Sequence, residues 1–179
     1  LTQIQGARSM EVPLEPDFSL PVRKLSSTRG SILFITNPNN PAGTWYPPDE
    51  IAEICESEQN LVVVDEAYAD FSGEDCSQLV KRYSNVCVVR SLSKAYGLAG
   101  LRVGYMLGRK ELAANLIKVK DSYNVSSAAQ IAAVAALRDE AWARASWSDA
   151  ARRRDWLSDK LTSELGLKVH PSRANFVLA

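Results

Sequence analysis

The 179-residue chain contains a single histidine, His170, and only three cysteines, Cys55, Cys76 and Cys87. No two of the cysteines form a C-x-x-C pair, and one histidine adds too little to complete a metal site, so no metal centre is expected and the thiols are expected in the core, reduced. Neither sign of charge is in excess, because Lys plus Arg and Asp plus Glu both number 21. Such a balance lacks the electrostatic footprint of a protein that binds nucleic acid or an anionic membrane. No apolar run is long enough to span a bilayer, and the opening LTQIQGARSMEVPLEPDFSL has neither the basic start nor the hydrophobic stretch of a signal peptide. A cytoplasmic location is the expectation. The pattern G-x-x-x-x-G-K-[ST] is also missing, which disfavours a nucleotide triphosphatase. What remains is 46% hydrophobic and 8% aromatic, the composition of a folded domain with a sizeable core. Leu1 in place of methionine suggests processing, or a piece of something longer.

Three short runs rich in β-branched residues, Ser31 to Thr36 (SILFIT), Leu61 to Asp65 (LVVVD) and Val86 to Ser91 (VCVVRS), read as strands buried on both faces and therefore parallel. Between the first two, Pro47, Pro48, Asp49 and Glu50 suit a helix's first turn, and Ile51, Ile54 and Cys55 recur at helical spacing. A second helix is expected over Cys76 to Tyr83, and a fourth strand over Arg102 to Leu107. Residues 7 to 24, with Pro13, Pro16 and Pro21, suit extended chain and turns better than helix. Helices follow over Glu111 to Lys120, Ser126 to Leu137 and Asp139 to Leu165, the last ending at Gly166. In that last helix Leu157, Leu161 and Leu165 mark an apolar stripe, and Arg152, Arg153, Arg154 and Asp155 read as a solvated face. Lys168 to Ala179 begins another strand-like segment. The expected fold is α/β, a mostly parallel sheet with helices on both faces over residues 1–138, then an interdomain helix and the start of a second, smaller domain over 139–179.

The side chains with chemistry lie just past the strands. Asp65 ends a buried run, where open α/β sheets place their ligands; it either caps a neighbouring loop or faces a cation. Asn37 to Gly43 (NPNNPAG) is an ordinary proline turn, or it offers the Asn40 amide, with Tyr68 close by, to a phenolic oxygen. The stretch from Ser91 to Arg102 concentrates two hydroxyls, a lysine, two glycines and an arginine in what reads as a loop of small residues. Arg102 can grip a phosphate with two parallel hydrogen bonds, aided by Ser91 and Ser93, while Lys94 is either a surface lysine or an amine neutralised for Schiff-base chemistry.

In order and spacing, NPNNPAG, DEAY and SLSKAYGLAGLRVGY resemble the fold-type I aminotransferases of the class that includes histidinol-phosphate aminotransferase. KDSYNVSS (120–127) and PSRANFVL (171–178) extend the likeness, although Ser122 stands where that class often has proline. The resemblance implies pyridoxal phosphate as cofactor, with Lys94 as its Schiff-base lysine, Asp65 at the ring nitrogen, Asn40 and Tyr68 at the phenolic oxygen, and Ser91, Ser93 and Arg102 at the phosphate. Lys94, Asp65 and Tyr68 would be catalytic. The implied reaction is transamination between an amino donor and a 2-oxo acid acceptor by a cytoplasmic homodimer of histidine biosynthesis, with histidinol phosphate and 2-oxoglutarate as the favoured pair. Another amino acid aminotransferase or a threonine-phosphate decarboxylase-like enzyme is the near alternative, and an inactive fragment serving only in binding or association the distant one. The resemblance also implies that the chain begins inside the large domain and ends as the small one starts, without the segments that supply the remaining cofactor and substrate contacts. His170 is given no role.

Overall fold

The computed structural model describes residues 4–179, so Leu1 lies outside the described residues. Four strands form one sheet in the order β1 (Ile32–Thr36), β2 (Leu61–Asp65), β3 (Val86–Ser91) and β4 (Gly104–Leu107). The first three are parallel, and β4 runs antiparallel to β3. The sheet is mixed and mostly parallel, as expected. Between Ser91 and its partner Gly104 the chain folds into short helical turns and returns antiparallel.

Strand alternation defines the core. Ile35, Val62, Val64, Val86 and Val88 turn to one face, where they pack with Leu25 of α1 (Val22–Ser27) and with Ile51, Ile54 and Cys55 of α2 (Pro48–Glu56). Helix α2 begins as anticipated, with Pro48 in its first turn and Asp49 and Glu50 beside its N-terminus. On the other face Val63 and Cys87 are buried, but Ile32 and Phe34 of β1 are 52% and 71% exposed. The cover supplied by the described residues is therefore partial at the β1 side. All three cysteines are free and buried.

Several elements differ from the expectation. Helix α1 starts at Val22, directly after Pro21, because a proline at the cap gives up an amide that would be unbonded there anyway. The helix expected over Cys76 to Tyr83 is a single turn, α3 (Leu79–Arg82). Before it the chain closes by three-residue bonds, from the Leu79, Val80 and Lys81 amides to the Cys76, Ser77 and Gln78 carbonyls, while the Cys76 amide donates to the Glu66 carboxylate and the Ser77 amide to Asp75. The Ser91–Arg102 stretch is not a plain loop but contains one helical turn, α4 (Leu92–Ala95), and a 3-10 turn at Ala99–Leu101.

Helices α5 (Lys110–Val119), α6 (Ser127–Arg138) and α7 (Glu140–Leu165) follow. Asp139 caps α7 by accepting the Trp142 amide at 3.2 Å, and Gly166 ends it in the left-handed region at φ +65°. The arginine run on α7 is only partly solvated. Arg152 and Arg153 are exposed and paired with Asp149, whereas Arg154 is only partly exposed, pairs with Asp155 and donates to the Ala174 carbonyl at 2.9 Å. Leu157 and Leu165 of the apolar stripe are exposed. After α7 the expected strand reduces to one antiparallel bridge, His170 with Leu178. No described helix is long and apolar enough to cross a membrane.

Candidate active site

The parallel register sets Thr36 beside Asp65 and Asp65 beside Val89. The segments leaving β1, β2 and β3 therefore emerge at one edge; the first two carry Asn37–Gly43 and Glu66–Tyr68, and the third, after Arg90 and Ser91 at the end of β3, carries Leu92–Lys94. The first of these loops is held by buried Asn37, which donates to the Tyr46 carbonyl and accepts the Tyr46 amide, both at 2.9 Å. That anchor leaves Asn40 exposed at the loop's tip. Its side-chain amide donates to the Tyr68 hydroxyl at 3.1 Å. The second Asn40 N–H and the Tyr68 O–H remain available, so two donors converge on whatever acceptor lies between them.

Lys94 projects from α4, and its amine lies 5.9 Å from the centre of the Tyr68 ring, at the outer reach of a cation–π contact. Ser91 caps this helical turn by accepting the Ser93 amide at 3.1 Å. Arg102 sits in the left-handed region at φ +55°, and its Nη1 donates to the Ala99 carbonyl at 2.9 Å. A left-handed non-glycine residue is uncommon and costs energy unless its surroundings hold it.

Asp65 is half-buried, and its Oδ1 accepts the Ala67 amide at 3.0 Å. The carboxylate that is fully buried is its neighbour Glu66, at 0% exposure. Arg90 meets Glu66 with Nε at 2.9 Å and Nη2 at 2.8 Å, and the same guanidinium reaches Asp75 at 2.9 Å and Asp70 at 3.5 Å. Burial pushes Glu66 up from the ordinary carboxylate range, against the pull of the Cys76 amide and Arg90. Burial likewise raises Asp70. For Arg90 burial works downward, but the carboxylates of Glu66 and Asp70 outweigh it and hold the guanidinium charged.

A cavity of about 370 Å³ lies over this ion-pair cluster, lined by Asp70, Arg90, Tyr96, Tyr105 and Trp147 among others, and none of the seven residues singled out from the sequence lines it. Of those seven, Asn40, Lys94 and Arg102 are exposed; Asn40 meets Tyr68, Tyr68 meets Lys94 and Ser91 meets Ser93, whereas Asp65 and Arg102 bond to Ala67 and Ala99. The cavity's Asp70 and Asp75 both pair with its Arg90.

Further contacts brace these residues from distant parts of the chain. Trp147 of α7 donates its indole N–H to the carbonyl of Ala95, next to Lys94, at 2.8 Å, and its ring meets Tyr96 edge-on. Phe176 packs edge-on against Tyr68 at 5.1 Å. The Glu66–Arg90 pair had a signal in the sequence: Arg90 continues the Val86, Val88 alternation toward the core, and a buried guanidinium requires a carboxylate. Nothing in the spacing links Trp147 to Ala95 or Phe176 to Tyr68.

The fold and the arrangement at the strand ends define a class. Residues 2–179 match the family model for aminotransferase class I and II, and the chain belongs to that family. It is 42% identical over 177 residues to the histidinol-phosphate aminotransferase of Geotalea uraniireducens (strain Rf4), covering 99% of this chain and 50% of that protein. Among solved structures it is similar to histidinol-phosphate aminotransferase from Sinorhizobium meliloti in complex with pyridoxal-5'-phosphate, with a TM-score of 0.89 and 28% identity over 98% of this chain and 50% of that one. It is also similar to L-threonine-O-3-phosphate decarboxylase from Porphyromonas gingivalis, with a TM-score of 0.68 and 27% identity over 80% and 45% of the two chains. The chain spans about half the length of the curated relatives it matches.

Proposed function

We propose that this chain is the cofactor-binding part of a pyridoxal-phosphate-dependent aminotransferase, one that exchanges the amino group of histidinol phosphate with 2-oxoglutarate as acceptor. The observation that carries this reading is the cluster of the Asn40 amide, the Tyr68 hydroxyl and the Lys94 amine at the ends of three parallel strands. The donor set suits pyridoxal phosphate: two neutral donors for its phenolic oxygen, a carboxylate at a strand end for its ring nitrogen, an amine for its aldehyde carbon, and hydroxyls with a guanidinium for its phosphate. When bound, the cofactor supplies an electron sink for the bond broken at the substrate's amino-bearing carbon.

Each side chain then has a task. Lys94 is the attachment point and, once released, moves a proton at the amino-bearing carbon. Asp65 keeps the ring nitrogen protonated, using the Oδ2 that makes no hydrogen bond among the described residues. Asn40 and Tyr68 hold the phenolic oxygen. Ser91, Ser93 and Arg102 bind the phosphate, Arg102 with the N–H groups not engaged by Ala99. In this reading residues 1–138 belong to the large domain and 139–179 to the interdomain helix and the beginning of the small one. The whole protein works as a cytoplasmic homodimer.

The deciding experiment treats the full natural protein with pyridoxal phosphate and borohydride and maps the adduct. It is expected on Lys94 and absent from Lys94→Ala; an adduct mapped to another lysine removes Lys94 from its role. The likeness to the threonine-phosphate decarboxylase favours a second reading, in which the substrate loses its carboxyl group. Release of carbon dioxide from threonine phosphate, with no 2-oxoglutarate-dependent turnover of histidinol phosphate, would establish that alternative.

A further inference from the structure

The segment Ser172–Phe176 carries part of the likeness to the family yet has no task in the function proposed above. It touches the candidate site at three places. The Arg173 amide donates to the Gly43 carbonyl at 2.8 Å, closing the loop that bears Asn40. Gly43 adopts φ +75°, and a Cβ there would overlap the Ser172 hydroxyl, so the loop and the segment pack without space between them. The Arg173 guanidinium reaches Glu74 at 3.2 Å and the Ser72 carbonyl at 3.5 Å, beyond the 3-10 turn that follows Tyr68. Phe176 sets its ring edge-to-face on Tyr68, with ring centres 5.1 Å apart and planes at 87°.

The segment is itself anchored. Ala174 is fully buried, its carbonyl accepts from Arg154 of α7, and its amide donates to the Ser172 hydroxyl at 3.1 Å. Tyr68 thus has Asn40 at its hydroxyl and Phe176 against its ring, and both neighbours are tied to the same five-residue stretch.

We propose that Phe176, with the Ser172–Arg173 turn, is a positioning element that fixes the Tyr68 ring and the Asn40 loop so that their two donors meet on one acceptor atom. The inference rests on the reading of Asn40 and Tyr68 as donors to the cofactor's phenolic oxygen. Phe176 touches Tyr68 and acts through it.

The test uses the full natural protein and two readouts. Without cofactor, tyrosines are replaced by 3-fluorotyrosine and the Tyr68 fluorine resonance is assigned by its loss in Tyr68→Phe; Phe176→Leu should shift that resonance by removing the facing ring. With pyridoxal phosphate bound, the pH midpoint of the visible band is followed. A donor to an oxyanion lowers its pKa, so removing one raises the midpoint. Phe176→Leu should raise it by a fraction of the Tyr68→Phe rise, on the order of half a pH unit. Phe176→Tyr, which keeps the ring, should stay near the natural midpoint. In the double variant Phe176→Leu should add nothing to Tyr68→Phe, since it acts through the missing hydroxyl. A Tyr68 resonance unmoved by Phe176→Leu overturns the inference, as does a midpoint that responds to Tyr68→Phe but not to Phe176→Leu. If the natural protein takes up no cofactor at Lys94, or Tyr68→Phe leaves the midpoint in place, the functional reading falls instead, and this inference with it.

Discussion

Asp65 and Glu66 are adjacent carboxylates at the end of one strand, and the structure gives them opposite surroundings. Asp65 remains half-buried with one oxygen bonded to the Ala67 amide, whereas Glu66 is sealed in the interior against Arg90. Their substitutions should therefore separate. Asp65→Ala should cripple turnover and leave the unfolding midpoint in urea nearly unchanged. Arg90→Met should leave Glu66 buried without its partner and destabilise the fold by about 3–5 kcal/mol, with part of that loss recovered in the double variant Glu66→Gln/Arg90→Met. A urea series that finds Arg90→Met no less stable than the natural protein would show that Glu66 is protonated and needs no cation. The buried run LVVVD points to Asp65 as the expensive charge, but the structure leaves Asp65 half-buried on the Ala67 amide and buries Glu66 instead. Pattern alone could not say which carboxylate carries it, because the chain turns after Asp65 and the period-two rule lapses there.

At the scale of the element, α7 bears on the site from a distance in sequence. Its Trp147 bonds the carbonyl of Ala95 and faces Tyr96, so the turn that presents Lys94 is braced by a helix more than fifty residues onward. Trp147→Phe keeps an aromatic ring and loses only the N–H. It should cost about 0.5–1.5 kcal/mol and speed amide hydrogen exchange across Leu92–Leu98, while exchange in β1 stays as it was. Equal protection of Leu92–Leu98 in the two proteins would mean that the turn holds itself. The α7 boundaries were readable, since Asp139 and Gly166 mark its ends through local chemistry. Its bracing contact was not, because a tryptophan inside a helix announces burial but not its partner.

At the scale of the molecule, apolar side chains stand exposed in several areas, among them Ile32 and Phe34 on the sheet and Ile117, Val119, Tyr123 and Ile131 along α5, α6 and the connection between them. Apolar surface of this extent favours association. These 179 residues alone should bind a hydrophobic dye and show concentration-dependent sedimentation, more so than the full natural protein. A monomeric, dye-free chain would show that the exposed side chains are too scattered to form a contiguous patch. The Leu157, Leu161, Leu165 stripe belongs to the same account, its periodicity plain and Leu157 and Leu165 exposed.

The sequence by itself determined the strands β1 to β3, helix α2, the caps of α7 and the likeness to a family, because each rests on short-range physics: β-branched runs, an acidic first turn, a glycine at a helix end, three motifs in order. Tertiary structure decided what those motifs face. The antiparallel return of β4, the pairing of Glu66 with Arg90, the bond from Arg154 to the Ala174 carbonyl and the contact of Phe176 with Tyr68 all join residues well separated in the chain. Spacing along a chain carries no information about which distant side chain will fill a given place, so those pairings exist only once the sheet has set its register.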